Sequence, residues 1–372
     1  MPGSPRLVDL VHDCLVSFLD EQDSALRRVS PELAELTTAA REFLAGGKRL
    51  RARFCYWGWA AVAMRTDSLD PTDESAVHDR LDAVVAAAAA LELFHAAALA
   101  HDDIMDNSDL RRGKPSLHRR FEAFHTESGW SGDAAGYGRA AALLLGDLLL
   151  GWSDDLFERG LTALPASAAA AARAEFATMR SEVTLGQYLD MLDEVSWRDH
   201  DDLESLERAH RVVVYKSAKY SVEAPLALGA ALAEGSLAQV SALRDFGLPL
   251  GVAFQLRDDI LGVFGDEAKT GKPAGDDLRE GKRTMLIALT RKQLPSSTLR
   301  IFDELVGDPD LDPDQIAMLQ TAVRDSGAVD HVERMIAREV GDALAALDDA
   351  PLARGARDEL RQLAVAATDR VS

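Results

Sequence analysis

Cysteine is nearly absent from this 372-residue chain: Cys14 and Cys55 are the only two, and neither is paired with histidine at zinc-ligand spacing. A disulfide framework and a structural zinc site are therefore not expected, and a reducing cytoplasm is the natural compartment. Cations are also short, 41 Lys and Arg against 62 Asp and Glu, for a formal net charge of −21. That deficit argues against a nucleic-acid partner. It would also repel an anionic substrate unless a divalent cation intervened. The first ten residues lack a basic segment followed by an apolar core, so no signal peptide is expected. The most apolar stretch, Ala83 to Ala100, is mostly alanine and is interrupted by Glu92 and His95. It is expected to fall short of the roughly 20 strongly apolar residues of a membrane span, and no transmembrane segment is predicted. No solenoid-period repeat and no sharp shift of composition divides the chain, which is read as one domain over residues 1–372.

No alternating β-branched runs suggest a sheet, and the pattern is helical nearly throughout. Long segments rich in Ala, Leu, Glu and Arg recur at Arg80 to Asp106, Arg139 to Arg159, Ala166 to Glu194, Leu203 to Ala233 and Leu237 to Phe264. Shorter ones follow at Thr284 to Leu294, Pro313 to Ser326 and Val329 to Leu347. An all-α fold is predicted, with breaks near Pro71, over Thr126 to Gly138, at Pro165 and over Gly307 to Pro313.

The segment His101-Asp102-Asp103-Ile104-Met105-Asp106 closes the alanine-rich helix, which places Asp102 and Asp106 one turn apart on the same face. Like charges at that spacing repel unless a cation bridges them, and hard oxygen ligands at a helix end suit magnesium. A solvated helix end or a cap would read the same way if it stood alone. It does not: Arg111 and Arg112 follow, and guanidinium forks bind phosphate oxygens. A second cluster, Gln255-Leu256-Arg257-Asp258-Asp259-Ile260-Leu261-Gly262, repeats the pattern, with Lys269, Lys272, Lys282 and Arg283 beyond it. Two acidic helix ends with cations downstream make a clamp for a diphosphate and magnesium. Gly46-Gly47-Lys48-Arg49-Leu50-Arg51 adds flexible backbone beside three cations, without the spacing of a nucleotide P-loop.

In this order, from about Glu42 to Met285, these elements resemble the trans-type isoprenyl diphosphate synthases, or polyprenyl synthetases, and most of all their bacterial geranylgeranyl diphosphate synthases. The resemblance implies an isoprenoid-synthase bundle of about ten or more helices around a central cavity. It also implies that the two motifs face each other across that cavity. Asp102, Asp103 and Asp106 on one side and Asp258 and Asp259 on the other would bind a cluster of three Mg2+ ions around the allylic diphosphate. Lys48, Arg51, His95 and Arg112 would receive isopentenyl diphosphate, and Arg111 and Lys216 the allylic diphosphate. Ser217 and Gln255 would turn dipoles toward a developing cation, and Lys272 and Lys282 would close the pyrophosphate pocket. A histidine on an apolar helix is more often a satisfied core residue, and His95 gains its reading from its place below the metal motif. The family often has a third Asp where this chain has Gly262, with Asp266 four residues on, so metal binding should survive and Gly262→Asp should be tolerated.

The implied reaction ionises the allylic carbon–oxygen bond, adds the isopentenyl double bond to the cation and loses a proton, with pyrophosphate itself as the base. That fits a sequence without an obvious Ser-His-Asp or Cys-His arrangement. Ala97 and Ala98 stand where large aromatics stop growth at fifteen carbons in the family. Phe94 lies about 4.5 Å deeper along the helix than Ala97 by the helical rise, about one isoprene unit, and predicts a twenty-carbon product. The alternatives are a longer-chain polyprenyl synthase, a class I terpene cyclase and a regulatory subunit of a heteromeric synthase. The second acidic motif differs from a cyclase's, and the motifs are less eroded than a regulatory subunit would show. The resemblance further implies a homodimer.

Overall fold

The computed structural model describes residues 4–64, 74–265 and 274–368, and is helical almost throughout. Its first helices are α1 (Ser4–Val29), α2 (Ala34–Leu44), α3 (Leu50–Ala63), α4 (Glu74–Met105), α5 (Leu117–Glu127), α6 (Ala134–Leu161) and α7 (Ala166–Ser196). Then come α8 (Asp202–Val212), a π-helix over Val213–Glu223, α9 (Ala224–Leu232) and α10 (Leu237–Phe264), followed by shorter helices to Thr368. By internal contacts the chain forms two compact units. One is Met1–Ala172 with Gly229–Glu234, and the other is Arg173–Leu228 with Gly235–Ser372.

In the first unit α4 packs on α6 through small residues. A Cβ on Gly160 would lie 2.7 Å from that of Ala86, and Ser153 Oγ donates to the Ala90 carbonyl at 2.8 Å. Part of the alanine run therefore serves close helix approach. Its apolar content is higher than the sequence reading allowed: over Arg80–Met105 the mean hydropathy reaches 1.9, enough by length and composition for a membrane span. Yet 78% of that window is buried within the protein, as expected of a core helix. Fully buried Phe54, Tyr56 and Trp59 of α3 complete this core. Among the described residues a small ladder, β1 (Leu110–Arg111) antiparallel to β2 (Lys114–Pro115), interrupts the helices, and no sequence pattern predicts it.

In the second unit α10 starts on a capping box, with Ser236 Oγ accepting from Gln239 N at 3.3 Å and Gln239 Oε1 accepting from Ser236 N at 2.9 Å. Its inner face, Leu256, Ile260 and Val263, packs with Leu278, Leu286 and Phe302. The predicted helix over Leu203 to Ala233 proves to be α8, the π-helix and α9 in unbroken succession. Gly186 of α7 and Gly251 of α10 leave room for the wide π turns: a Cβ on either would fall within 2.6 Å of backbone atoms at Tyr215 and Ala218 respectively.

Candidate active site

The first carboxylate motif ends α4. Asp106 N donates to the Asp102 carbonyl at 2.8 Å, which carries the helical pattern past Met105 and keeps these half-buried carboxylates one turn apart. Asp103 between them is wholly buried. It accepts from Arg111 Nε at 2.9 Å and from Arg111 Nη2, and the same guanidinium reaches Asp102 Oδ2 at 3.3 Å. The small ladder produces this geometry. Arg112 and Gly113, at φ +54° and +72°, turn the chain between β1 and β2, so that Arg111 reaches back to the carboxylates. The Arg112 guanidinium lies against Gly47, where a Cβ would come within 3.2 Å of Nη2.

Of the three cations in the glycine loop, Arg49 turns inward. Its Nη1 donates to Glu92 Oε2 at 3.0 Å and its Nη2 to the Leu44 carbonyl at 2.8 Å, and both partners of the ion pair are buried. Glu92, which looked like an interruption of an apolar run, is the counter-charge that fixes this loop. Lys48 is exposed and Arg51 half-buried. Burial, and then the charges of Arg51, Arg112, Arg111 and Arg49, hold the His95 pKa well below 6.5, so its imidazole is neutral at neutral pH. The charges of Arg51, Arg111 and Arg112 thus all act on His95, and Lys48 stands on the loop that leads into Arg51's helix α3. Phe94 and Ala97 are buried and Ala98 is half-buried.

In the second unit the π-helix carries Lys216 and Ser217. Lys216 Nζ donates to Asp190 Oδ2 at 2.5 Å. Lys282 Nζ donates to Glu194 Oε1 at 2.7 Å and approaches the same Asp190 oxygen at 3.5 Å. Asp190 and Glu194, one turn apart on α7, orient both lysines, and the sequence reading missed them. Their partners lie 26 to 92 residues away, beyond the reach of any local pattern.

Asp258 is half-buried and Asp259 only 3% exposed. Gln255 Nε2 donates to Asp259 Oδ1 at 2.8 Å, while Asp259 Oδ2 has no hydrogen-bond partner among the described residues. Burial raises the Asp259 pKa well above the usual carboxylate range; the Gln255 bond opposes this, and the charges of Asp277, Asp258 and Asp190 add to it. Gln255 thereby has its amide nitrogen fixed, with its carbonyl oxygen as the other end. Arg257 turns away to a two-pronged pair with Glu333.

Two expectations change here. Arg283 does not join the lysines: its guanidinium stacks 4.1 Å from the Trp197 ring and donates to the Val306 carbonyl at 3.2 Å. Burial pushes its pKa down to about 10. An Asp at position 262 would not be accommodated passively, because a Cβ there falls 2.7 Å from Asp277 Oδ1 and closer to the rest of that carboxylate. Asp266, Lys269 and Lys272 lie outside the described residues.

Among the described residues no three acidic, His or Cys side chains converge to hold a metal ion alone. Magnesium does not require that. It uses one or two carboxylates and completes its shell with water and phosphate oxygens, and the half-buried Asp102, Asp106 and Asp258 are donors of that kind. The orphaned Asp259 oxygen also suits the neighbourhood of a hydrated cation.

The polyprenyl synthetase family model matches residues 33–323. A solved geranylgeranyl pyrophosphate synthase from Corynebacterium glutamicum, complexed with isoprenyl diphosphate and magnesium, shares 37% identity with this chain over all of both chains, with a TM-score of 0.91. A short chain isoprenyl diphosphate synthase of Methanothermobacter thermautotrophicus is 30% identical over 91% of this chain and 95% of its own length. A geranylgeranyl diphosphate synthase of Sulfolobus acidocaldarius is 29% identical over 82% of this chain and 78% of its own.

Proposed function

The chain belongs to the polyprenyl synthetase family, and on that premise we propose that it makes geranylgeranyl diphosphate, with both carboxylate motifs acting on one allylic diphosphate. The reaction is head-to-tail condensation of isopentenyl diphosphate with an allylic diphosphate, releasing pyrophosphate. The family is magnesium-dependent. The observation that carries the assignment of roles is the gathering of Arg51, Arg111 and Arg112 around a neutral His95. A cluster of guanidiniums beside an uncharged hydrogen-bonding ring is a receptor for a diphosphate.

Lys48, Arg51, His95 and Arg112 bind the diphosphate of isopentenyl diphosphate. Arg111, oriented by Asp103, and Lys216, oriented by Asp190, bind the allylic diphosphate. Lys282 and Lys272 close on the departing pyrophosphate. Bound magnesium, for which we propose three ions, neutralises the diphosphate and stabilises the leaving group. Asp102, Asp106 and Asp258 would hold it, with Asp259 behind Asp258. Ser217 Oγ and Gln255 Oε1 turn their negative ends toward the developing allylic cation. Pyrophosphate takes the proton, so no side-chain base is required.

Ala97 and Ala98 leave the wall of the growing chain open and Phe94 closes it one turn deeper, at twenty carbons. We place the enzyme in the cytoplasm as one catalytic domain and as a homodimer. Leu143 and Leu144 on α6 and Leu185, Tyr188 and Val195 on α7 are exposed apolar side chains of the kind a subunit interface covers. Incubation of the purified protein with isopentenyl diphosphate, magnesium and dimethylallyl, geranyl or farnesyl diphosphate in turn, with sizing of the products, tests this reading. Twenty-carbon product from each primer is expected, and longer products from Phe94→Ala. Wild-type products beyond twenty carbons would favour a longer-chain synthase.

A further inference from the structure

Lys282 and Arg283 are neighbours in the chain, yet among the described residues only the lysine has an acid of its own. Lys282 pairs with Glu194, while the Arg283 guanidinium lies against the Trp197 ring and the Val306 carbonyl. Its Nη2 donates to that carbonyl, and its Nε and Nη1 are buried without a hydrogen-bond partner among the described residues. The acids whose charge reaches it, Asp303 and Glu194, are already engaged by Arg291 and Lys282. Burial, with the charges of Arg291 and Arg198, lowers its pKa to about 10, so it stays charged at neutral pH.

Arg283 lines a half-open cavity between α7, α8 and the helix Met285–Gln293. Arg208 and Arg291 line it too, with Arg291 stacked 4.5 Å from the same Trp197 ring. Asp193 is the one carboxylate of the described lining, and it accepts from Arg208 Nε at 2.7 Å. Ser205 Oγ, in the same lining, is also buried without a partner among the described residues. The enclosed part measures about 20 Å³, room for one water or one oxygen of a ligand, and the rest opens to solvent.

Three guanidiniums against one carboxylate make this cavity cationic in a chain of net charge −21. A buried charge is costly unless it is both paired and hydrogen-bonded. Water would accept from Arg283 and Ser205 but leave the charge without a counter-ion. An oxyanion supplies both, through charge-assisted hydrogen bonds. A doubly charged one answers three guanidiniums better than a monovalent carboxylate does.

We propose that this cavity is an anion site for phosphate or a like tetrahedral oxyanion, which inserts one oxygen beside Arg283 and Ser205 and leaves the others in the mouth near Arg208 and Arg291. The site shares no residue with the diphosphate-binding set proposed above, and it needs no magnesium.

Trp197 reports on the site directly. The test is a tryptophan-fluorescence titration of the full chain with inorganic phosphate, without magnesium and at an ionic strength held constant with chloride. A saturable change is expected in wild type and absent in Trp197→Phe, which shows the signal of the other tryptophans alone. Arg283→Gln and Ser205→Val should each weaken binding, the arginine variant about 10-fold or more, the scale of a hydrogen bond to a charged group. Circular dichroism checks that each variant folds. Arg51→Ala, in the proposed diphosphate receptor, should leave the response unchanged, and acetate should bind far more weakly than phosphate. A wild type without a saturable response, or a response undiminished in a folded Arg283→Gln or Ser205→Val protein, would overturn the proposal. So would a response that vanishes in Arg51→Ala, which would place the anion in the diphosphate receptor instead. Acetate binding as tightly as phosphate would overturn the ligand class.

Discussion

The two carboxylate motifs read alike in sequence, but the charges assembled around them are opposite in kind. Around Asp102 arginines of the same unit engage the acids. Arg111 engages Asp102 and Asp103, Glu92 is buried against Arg49, and the remaining guanidiniums collect at His95. Around Asp258 the lysines pair with acids, Lys216 and Lys282 with Asp190 and Glu194, and Asp259 is buried under the added charge of Asp277 and Asp258. On the function proposed above, the first motif would serve the negative charge of a diphosphate and the second its magnesium, which is how a chain of net charge −21 would accept an anionic substrate.

Removing a counter-charge from the first unit tests the contrast most strongly. Glu92→Ala leaves Arg49 buried without its carboxylate partner, and breaking a buried pair of this type costs about 3–5 kcal/mol. Chemical denaturation should show that loss; a change below about 1 kcal/mol would mean that water replaces the pair. Asp102→Ala is expected to lower kcat by about 10²–10³-fold, the scale for removing one stabiliser of the leaving group. Circular dichroism should stay native, since Asp103 still holds Arg111. A folded Asp102→Ala protein with normal turnover would remove the basis for assigning this motif.

In the second unit the same kind of change should have the opposite sign. Asp259→Asn deletes a buried charge that has one orphaned oxygen and like charges beside it. The metal-free protein should be at least as stable as wild type at neutral pH, because the neutral amide meets no repulsion from the neighbouring carboxylates, while affinity for magnesium pyrophosphate falls. A destabilised Asp259→Asn would mean that its carboxylate is compensated as well as Glu92 is, and the contrast between the two units would fail.

How much of this was legible follows from range. The helix from Leu237 to Phe264 was bounded correctly because periodicity, a Ser-x-x-Gln start and a following glycine are all local. The motifs were legible for the same reason. The Arg49–Glu92 pair spans 43 residues and looked in sequence like a third site cation and a flaw in an apolar run. Arg283 sits beside Lys282 in the chain but follows Trp197, a partner that no spacing rule connects to it. The π-helix over Val213–Glu223 reads as ordinary helix in sequence, because the glycines that make room for it, 186 and 251, lie on two other helices. The clash that an Asp at 262 would meet is hidden for a related reason: Asp277 is fifteen residues on and reaches Gly262 only in three dimensions.

The finest test of the anion-receiving side is a pH series. His95 is held neutral by burial and by four arginines, with its pKa well below the 6.5 of an unfolded histidine. Below pH 6.5 the unfolded chain takes up a proton that the folded chain refuses, so stability falls with falling pH. The loss is at most about 1.4 kcal/mol per pH unit and continues until the folded histidine also protonates. His95→Asn should lose less stability than wild type between pH 7.5 and 5, the difference opening near 6.5, as measured by urea denaturation at each pH. Pyrophosphate should narrow the difference, because an anion among the guanidiniums offsets their repulsion of the imidazolium. Parallel pH profiles for the two proteins would place His95 outside the arginine field and leave the receptor to Lys48, Arg51 and Arg112 alone.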